Sequence, residues 1–590
     1  MNETFRWINS TLKDEIDFII WTGDSARHDN DEKLPRSDEQ VISQNELLVQ
    51  KFLEVFGKPD NFDDDDPTND FVIPIIPTFG NNDILPHNIF TQGPNAWTQK
   101  YLGIWRQFIP EAQRHQFARG GWFYVEVIPN KLAVFSLNTL YFFASNSAVD
   151  GCARKSEPGF EQFEWLRIQL ELLRQRGMKA ILTGHVPPAR VDAKTSWDET
   201  CWQKYALWLN KYRDVIVASV YGHMNIDHFM VQDFKDIKKD VKNGLAVTEV
   251  SDNEWEDEMS IAAAADYLVE LRGEFAKIPP VVLPFSVEDF HVDDRTGNQV
   301  ALDAVRSNKK KDKDIGDLLK GIGGPYAERY SVSLIGASIV PNYFPSLRVV
   351  EYNISGLESL SLPDYRLPRG DVDEAVEIMK SKNKKGNDDE HKNKKKNKKK
   401  KKKQHKFTVP KGPSKSTPPG PAYSPQTLTL TGYTNYYANL TYINNDFLRT
   451  PVDAEDDGLV EDMGWKEGKH KGKVKQGKPK PKKFKFEVEY STNDDKVYLM
   501  EDLTVRNWLK LARRIAGEKE GKKEDKVDLE KKSKEKKNKD RSGERNEVWY
   551  TFIMRAFVGA KDPQDIENEF GMYMGLESNV WDESGHNLEL

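Results

Sequence analysis

The sequence predicts a layered α/β domain interrupted by lysine-rich inserts, and three observations carry that expectation. Apolar runs of strand length alternate with helical patterns through residue 230, the order that builds a sheet covered by helices. Four of those runs stop abruptly at a glycine followed by a polar side chain: Gly23-Asp24, Gly80-Asn81, Gly184-His185 and Gly222-His223. The second half then gives way to long lysine tracts, unbroken from Lys398 to Lys403, which repel themselves and are expected to be disordered. The 590 residues are 38% hydrophobic, enough for a sizeable core, yet 31% are charged and mean hydropathy is -0.71. Apolar residues are therefore unevenly spread, and part of the chain should not fold. The net charge of -7 averages lysine runs against acidic clusters such as Asp63 to Asp66, so it says little about partners.

In chain order, Phe5, Ile8 and Leu12 fall at helical spacing and predict a short amphipathic helix. Asp17 to Trp21 is a compact buried strand that delivers Thr22-Gly23-Asp24. Phe71 to Phe79 is a second apolar run; its Pro74 and Pro77 predict a short or irregular strand. Trp122 to Val127 and Leu132 to Leu137 read as a hairpin around Pro129-Asn130. Glu161 to Arg176 shows a helical face of Phe163, Leu166, Leu170 and Leu173, with Gly177 placed as C-cap. The strand Lys179 to Leu182 and the helix Trp202 to Tyr212 follow, and the β-branched run Val215 to Val220 ends at Tyr221-Gly222-His223.

Ala262 to Phe275 reads as a helix, and Ser331 to Tyr352 as two strands around Pro341 and Pro345. Val372 to Lys403 loses its apolar residues, and Gly412 to Pro425 continues as a Pro/Ser-rich linker. Aromatic and β-branched content recovers over Leu428 to Leu448, Phe486 to Tyr490, Val505 to Ile515 and Val548 to Phe557, which are expected to dock on the main domain. The expected organisation is a folded unit over 1–360, a disordered insert over 361–425, and a returning region over 426–590 with charged low-complexity stretches at 466–485 and 518–545.

There is neither a run of eighteen apolar residues nor a charged-then-apolar leader, so no membrane span or signal peptide is expected in this chain. Sequons begin at Asn2, Asn9, Asn353 and Asn439 and point to a secretory compartment. The only cysteines, Cys152 and Cys201, form one bridge in an oxidising lumen or stay as two thiols in the cytosol. The lysine runs lack the interleaved aromatics that stack bases, so sequence-specific nucleic-acid binding is not expected.

Each glycine-bounded turn taken alone is an ordinary turn. Their ordered recurrence is more specific: Asp24, Asn81, His185 and His223 make a mixed oxygen and nitrogen donor set suited to Mn, Fe, Zn or Mg rather than a thiolate site. The segments WTGDSARHDND, FGNNDILPHN, TGHVPP and YGHMNIDHF resemble the calcineurin-like metallophosphoesterases, whose pattern runs D-x-H, GD, GNH[DE], GH and GHxH. With YFPSLRVVEYN and GYTNYYANLTYINNDFL, the likeness is to the fungal endopolyphosphatase branch. The resemblance implies a metallophosphoesterase β-sandwich flanked by helices and a site for two divalent ions, with Co added to the candidate metals. Asp24 matches the bridging carboxylate and Asn81, His185 and His223 match ligands. Asn82, Asp83 and Asn225 stand at catalytic positions of the motifs. The implied reaction is cleavage of internal phosphoanhydride bonds of inorganic polyphosphate, in the vacuole lumen or at its membrane, with a homo-oligomer compatible with the sequence.

Three positions depart from the general pattern. Asn82 replaces a histidine that assists the leaving group, a change that a P–O–P link tolerates because the expelled phosphate oxygen is a weak base. Asn225 replaces the second histidine of GHxH, with Asp227 and His228 as candidate substitutes. No D-x-H strand precedes Gly23, which creates the expectation of a longer parent form carrying that block and a membrane anchor upstream. The runner-up functions are a sphingomyelinase-like phosphodiesterase, which shares the metal motifs, and a catalytically impaired polyanion-binding relative.

Overall fold

A computed structural model describes residues 2–28, 33–61, 66–192, 194–247, 261–279, 290–292, 299–301, 321–339, 343–358, 404–414, 417, 419–444, 481–517 and 546–570. The tract Lys398 to Lys403 and the charged stretch 518–545 lie outside them, as do 466–480 of the second basic stretch.

Helix α1 (Asn2–Thr11) leads into strand β1 (Ile19–Trp21). Helix α2 (Asp38–Phe56) was not anticipated, although Val41, Leu48, Val49, Phe52, Val55 and Phe56 keep helical spacing. Its start is set by a capping box in which the Ser37 side chain accepts from Gln40 N and the Gln40 side chain accepts from Ser37 N, with Asp38 and Glu39 in the first turn. Such a cap is worth about 1 kcal/mol. Strand β2 (Ile75–Pro77) is short, as its prolines predict, and pairs in parallel with β1, Trp21 opposite Pro77.

The hairpin is β3 (Phe123–Ile128) and β4 (Leu132–Ser136), antiparallel as expected. Helix α3 (Pro158–Gln175) precedes β5 (Lys179–Thr183), and helix α4 (Glu199–Lys211) precedes β6 (Ile216–Tyr221). The chain then adds β7 (His228–Asp233), α5 (Ile261–Ala276) and β8 (Tyr330–Ile335). One six-stranded sheet results, in the order β3-β4-β5-β6-β8-β7. Its central steps β4 to β5, β5 to β6 and β6 to β8 are parallel, while its edge strands β3 and β7 run antiparallel to their neighbours. A second, antiparallel sheet joins β9 (Ser346–Tyr352), β10 (Leu430–Tyr437) and β11 (Glu487–Ser491), strands far apart in sequence. Helices α6 (Val505–Ala516) and α7 (Glu547–Ala556) follow.

The core beneath β1 and β2 is aromatic. Phe79, fully buried, lies 4.7 Å from Tyr101, 4.9 Å from Trp105 and 5.0 Å from Phe90 by ring centroid. Burying a side chain of that size is worth about 1.5–3 kcal/mol, and its rings fix the height at which the 80–83 turn emerges. The returning region docks on the same core: Phe229 of β7 lies 4.6 Å from Trp508 and 4.9 Å from Phe275 by centroid.

The expectation of disorder over 361–425 needs correction at its carboxyl end. Gln404–Lys406 pairs antiparallel with Leu245–Val247, and the buried Tyr423 donates its hydroxyl to Tyr330 O at 2.9 Å. Phe407 also lies against Trp208 at 5.9 Å, and Phe407 N donates to Gly244 O at 2.9 Å.

Candidate metal centre

Backbone pairing brings the four glycine turns to one place. In register, β5 ends beside β6, Thr183 opposite Val220, so His185 and His223 follow neighbouring strand ends; Gly222 N donates to His185 O at 3.0 Å. On the other side Thr78 N donates to Trp21 O at 2.9 Å, which sets Gly23-Asp24 beside Gly80-Asn81. The two pairs are joined by Ser136 Oγ, which donates to Pro77 O at 2.6 Å, and by His185 Nδ1, 2.6 Å from Thr22 O. Ligand sites at the carboxyl ends of parallel strands follow from this kind of arrangement.

The glycines are required by close approach. A Cβ on Gly80 would stand 2.2 Å from Asp24 N, and one on Gly23, whose φ is 87°, would stand 2.6 Å from Gly80 N. Asp24, His223 and Asn225 themselves have φ of 57°, 69° and 57°, a left-handed conformation costing an ordinary residue about 1–3 kcal/mol. Backbone strain gathered at one point is a mark of a functional site.

Asp24, His185 and His223 present ligand atoms within 4.8 Å of one another. Asp24 Oδ2 is 3.1 Å from His185 Nε2; Asn81 Oδ1 is 2.8 Å from His185 Nε2 and 3.0 Å from His223 Nδ1. Thr22 O can only accept, so His185 Nδ1 carries the hydrogen that meets it and Nε2 presents a lone pair to the cluster. With His223 Nδ1 also bare of hydrogen, the four atoms are all acceptors and repel unless a cation stands among them. A proton on His185 serves in the metal-free chain: burial opposes it, but the Asp24 carboxylate and the Thr22 carbonyl raise the His185 pKa above its ordinary value. Burial also resists ionisation of Asp24, yet His185, the Asn82 amide and His223 hold it well below the usual carboxylate range. Burial, then the His185 and Lys194 charges, push His223 well below its ordinary value, so its ring stays neutral. An ionised carboxylate, an amide oxygen and two imidazole lone pairs form a donor set that fits a divalent cation.

The other sequence candidates fall in different places. Asn82 is fully buried and turned onto Asp24, its backbone N donating to Oδ1 at 2.8 Å and its Nδ2 to Oδ2 at 2.9 Å. Its Oδ1 is buried with no hydrogen-bond partner among the described residues. Asp83, also fully buried, accepts from Asp24 N, Ser25 N, Ala26 N and Gly80 N at 2.8–3.1 Å and from Asn45 Nδ2 at 3.1 Å. Burial and the Asp24 charge raise its pKa, opposed by these donors. Asp83 thus ties both acidic turns to α2. Asn225 stands half-buried two residues past His223.

Asp227 and His228, considered as substitutes for the missing histidine, are committed elsewhere. Asp227 pairs with Arg348 and accepts from Asn435 Nδ2 at 2.6 Å and Tyr490 Oη at 2.7 Å, while its own N donates to Ala556 O at 3.0 Å. His228 faces Ile226 O and Tyr267 Oη. The sequence pattern could not show this, because every side-chain partner comes from a distant segment. Sequence reasoning also missed Asn45, His87 and Asn88; the Ser37-x-x-Gln40 cap and the spacing of Val41, Val49, Phe52 and Phe56 signal the helix that carries Asn45.

Cys152 and Cys201 are joined as a disulfide. Of the sequon residues, Asn2 and Asn9 are exposed on α1. Asn353 Nδ2 instead donates to Gln426 O at 3.1 Å, and Asn439 Oδ1 accepts from Tyr442 N at 3.0 Å. No helix among the described residues is long and apolar enough to cross a membrane.

No protein-family model matches the chain. Curated relatives do. An endopolyphosphatase of Neurospora crassa is 47% identical over 550 residues, covering 88% of this chain and 70% of that protein. One of Yarrowia lipolytica is 34% identical, covering 95% and 81%, and one of Saccharomyces cerevisiae is 35% identical, covering 87% and 75%. The relatives carry neither alternative activity in their names, and identity at this level over most of both chains leaves one conclusion: the chain belongs to the endopolyphosphatase family.

Proposed function

We propose that this chain hydrolyses internal phosphoanhydride bonds of inorganic polyphosphate, using two divalent cations of which Asp24, Asn81, His185 and His223 hold at least one. The observation that carries the reading is the convergence of four oxygen and nitrogen atoms able to ligate a metal at the ends of parallel strands. Family membership supplies the substrate. Divalent cations in such a donor set neutralise phosphate oxygens and activate water for in-line attack.

The chain's own residues contribute orientation. Asp24 enters ionised because His185 and the Asn82 amide stabilise its charge, and Asn82 directs both carboxylate oxygens through its two N–H contacts. In this reading Asn82 acts through Asp24 rather than as an acid, which suits a phosphate leaving group of low basicity. Asp83 positions the turns, and Asn225 is the polar group left on the His223 loop to meet a phosphate oxygen or a second cation. The β1–β2 pair and the two larger sheets fit the layers of a metallophosphoesterase sandwich. The disulfide between Cys152 and Cys201 suits an oxidising lumen such as the vacuole.

The test is direct. The protein is incubated with long-chain polyphosphate and Mn, Co or Mg, and the products are separated on a gel. Products of intermediate length are expected, and Asp24→Asn should abolish them. Free phosphate alone, or cleavage that survives Asp24→Asn, would overturn the assignment.

A further inference from the structure

An asparagine serves a cation only through its oxygen; turned the other way, it offers N–H groups that repel one. The orientation of the Asn81 amide therefore needs a cause. Both hydrogens of Asn81 Nδ2 have acceptors: His87 Nε2 at 2.8 Å and Asn88 Oδ1 at 3.0 Å. That leaves Oδ1 facing His185 Nε2 and His223 Nδ1 at 2.8 and 3.0 Å. A half-turn of the amide would aim Nδ2 into the cluster and set Oδ1 against Asn88 Oδ1.

The two acceptors are themselves held. Asn88 is buried, 2% exposed, with φ of 67°, and its N donates to Asn81 O at 3.4 Å, closing the loop onto the residue it orients. The half-buried His87 ring meets the His28 ring edge to face at 5.9 Å. For Nε2 to accept, the hydrogen of the His87 ring must sit on Nδ1.

We propose that His87 and Asn88 are positioning residues that fix the Asn81 amide with its oxygen toward the divalent cation. The inference rests on the metal-centre reading above and adds to it the means by which an amide ligand is kept from turning. Partners that orient metal ligands are worth about 10–100-fold in metal affinity when removed.

Mn²⁺ affinity of the stripped, full chain, read from the electron paramagnetic resonance signal of free Mn²⁺, tests this without reference to turnover. His87→Phe keeps a ring but offers no acceptor, and should weaken Mn²⁺ binding about 10–100-fold. His87→Gln and Asn88→Asp each keep an acceptor oxygen and should bind Mn²⁺ within about 3-fold of the unsubstituted chain. Circular dichroism melts of the metal-free proteins check that all variants fold. Wild-type affinity in His87→Phe would overturn the inference, with or without loss of turnover, because His87 would then act on something other than Asn81. Equal losses in His87→Phe and His87→Gln would overturn it too, since the acceptor would not matter. If the unsubstituted chain takes up no divalent ion, the metal reading itself fails, an outcome distinct from the other two.

Discussion

Replacing Asp83 by asparagine changes a single atom and should cost far more than its size suggests. The Asp83 carboxylate accepts from five donors: Ser25 N, Ala26 N and Asn45 Nδ2 at Oδ1, Asp24 N and Gly80 N at Oδ2. An asparagine must give up one oxygen. In the better orientation the new amide nitrogen replaces Oδ2 and leaves the N–H groups of Asp24 and Gly80 facing a donor. Each buried donor left unsatisfied costs about 1–3 kcal/mol, so Asp83→Asn should destabilise by about 2–6 kcal/mol. At about 1 °C per kcal/mol for a folded unit of several hundred residues, the lower bound alone moves the melting temperature by about 2 °C. Those two N–H groups belong to the turns that carry Asp24 and Asn81, so turnover should fall about 100-fold, the scale reported for ångström-sized misplacement of reacting groups. Thermal melts of the metal-free protein and gel analysis of polyphosphate products read the two effects. A variant that melts within about 1 °C of the parent and cleaves at the parental rate would refute the idea that this carboxylate holds the turns together.

Other perturbations have equally definite outcomes. Arg348→Met leaves Asp227 buried without its cation and should cost about 3–5 kcal/mol in denaturant titration; a loss below about 1 kcal/mol would mean the pair contributes little. Burial lowers the His228 pKa to about 4, opposed by the Ile226 carbonyl and Asp227 and aided by Arg348, while Tyr267 faces its other ring nitrogen. Its unfolded value is near 6.5, so between those values the unfolded chain binds the extra proton and stability falls as pH drops from about 6.5 to about 4. The group accounts for about 3 kcal/mol of that loss, and His228→Gln should flatten the stability profile in this window. Removing the disulfide by Cys152→Ser with Cys201→Ser frees a loop spanning 49 residues. By chain entropy this costs about 4 kcal/mol, and guanidinium midpoints before and after reduction of the parent should show the same difference.

The strand ends were legible because each is written locally: an apolar run, a glycine, a polar residue. Gly80 and Gly184 stop a strand whatever the rest of the chain does, so the four ligand candidates could be named from their own neighbourhoods. The helix Asp38–Phe56 is written in its cap and in the helical spacing of Val41, Val49, Phe52 and Phe56, but the polar Asn45 takes the buried position between Val41 and Val49, and apolar spacing says nothing of what it binds. The commitments of Asp227 and His228 were invisible, because Arg348, Asn435, Tyr490 and Tyr267 reach them across 39 to 263 positions. The contacts of 404–414 and 419–425 use Phe407 and Tyr423, two aromatics in a stretch whose composition otherwise reads as linker. Local grammar shows what a turn can offer; which offers are taken up is decided by packing.

The anchoring of Asp227 has a consequence for the making of the protein. Four residues after His223, the chain is pinned by Arg348, by Asn435 and Tyr490 of the second sheet, and by the carbonyl of Ala556. When a ribosome has produced Asp24, Asn81, His185 and His223, the strut that steadies the His223 loop is still untranslated. Competence should arrive late and all at once, when the helix Glu547–Ala556 closes on a loop made hundreds of codons earlier. Nascent fragments that end before Ala556 carry the ligands without the frame that holds them.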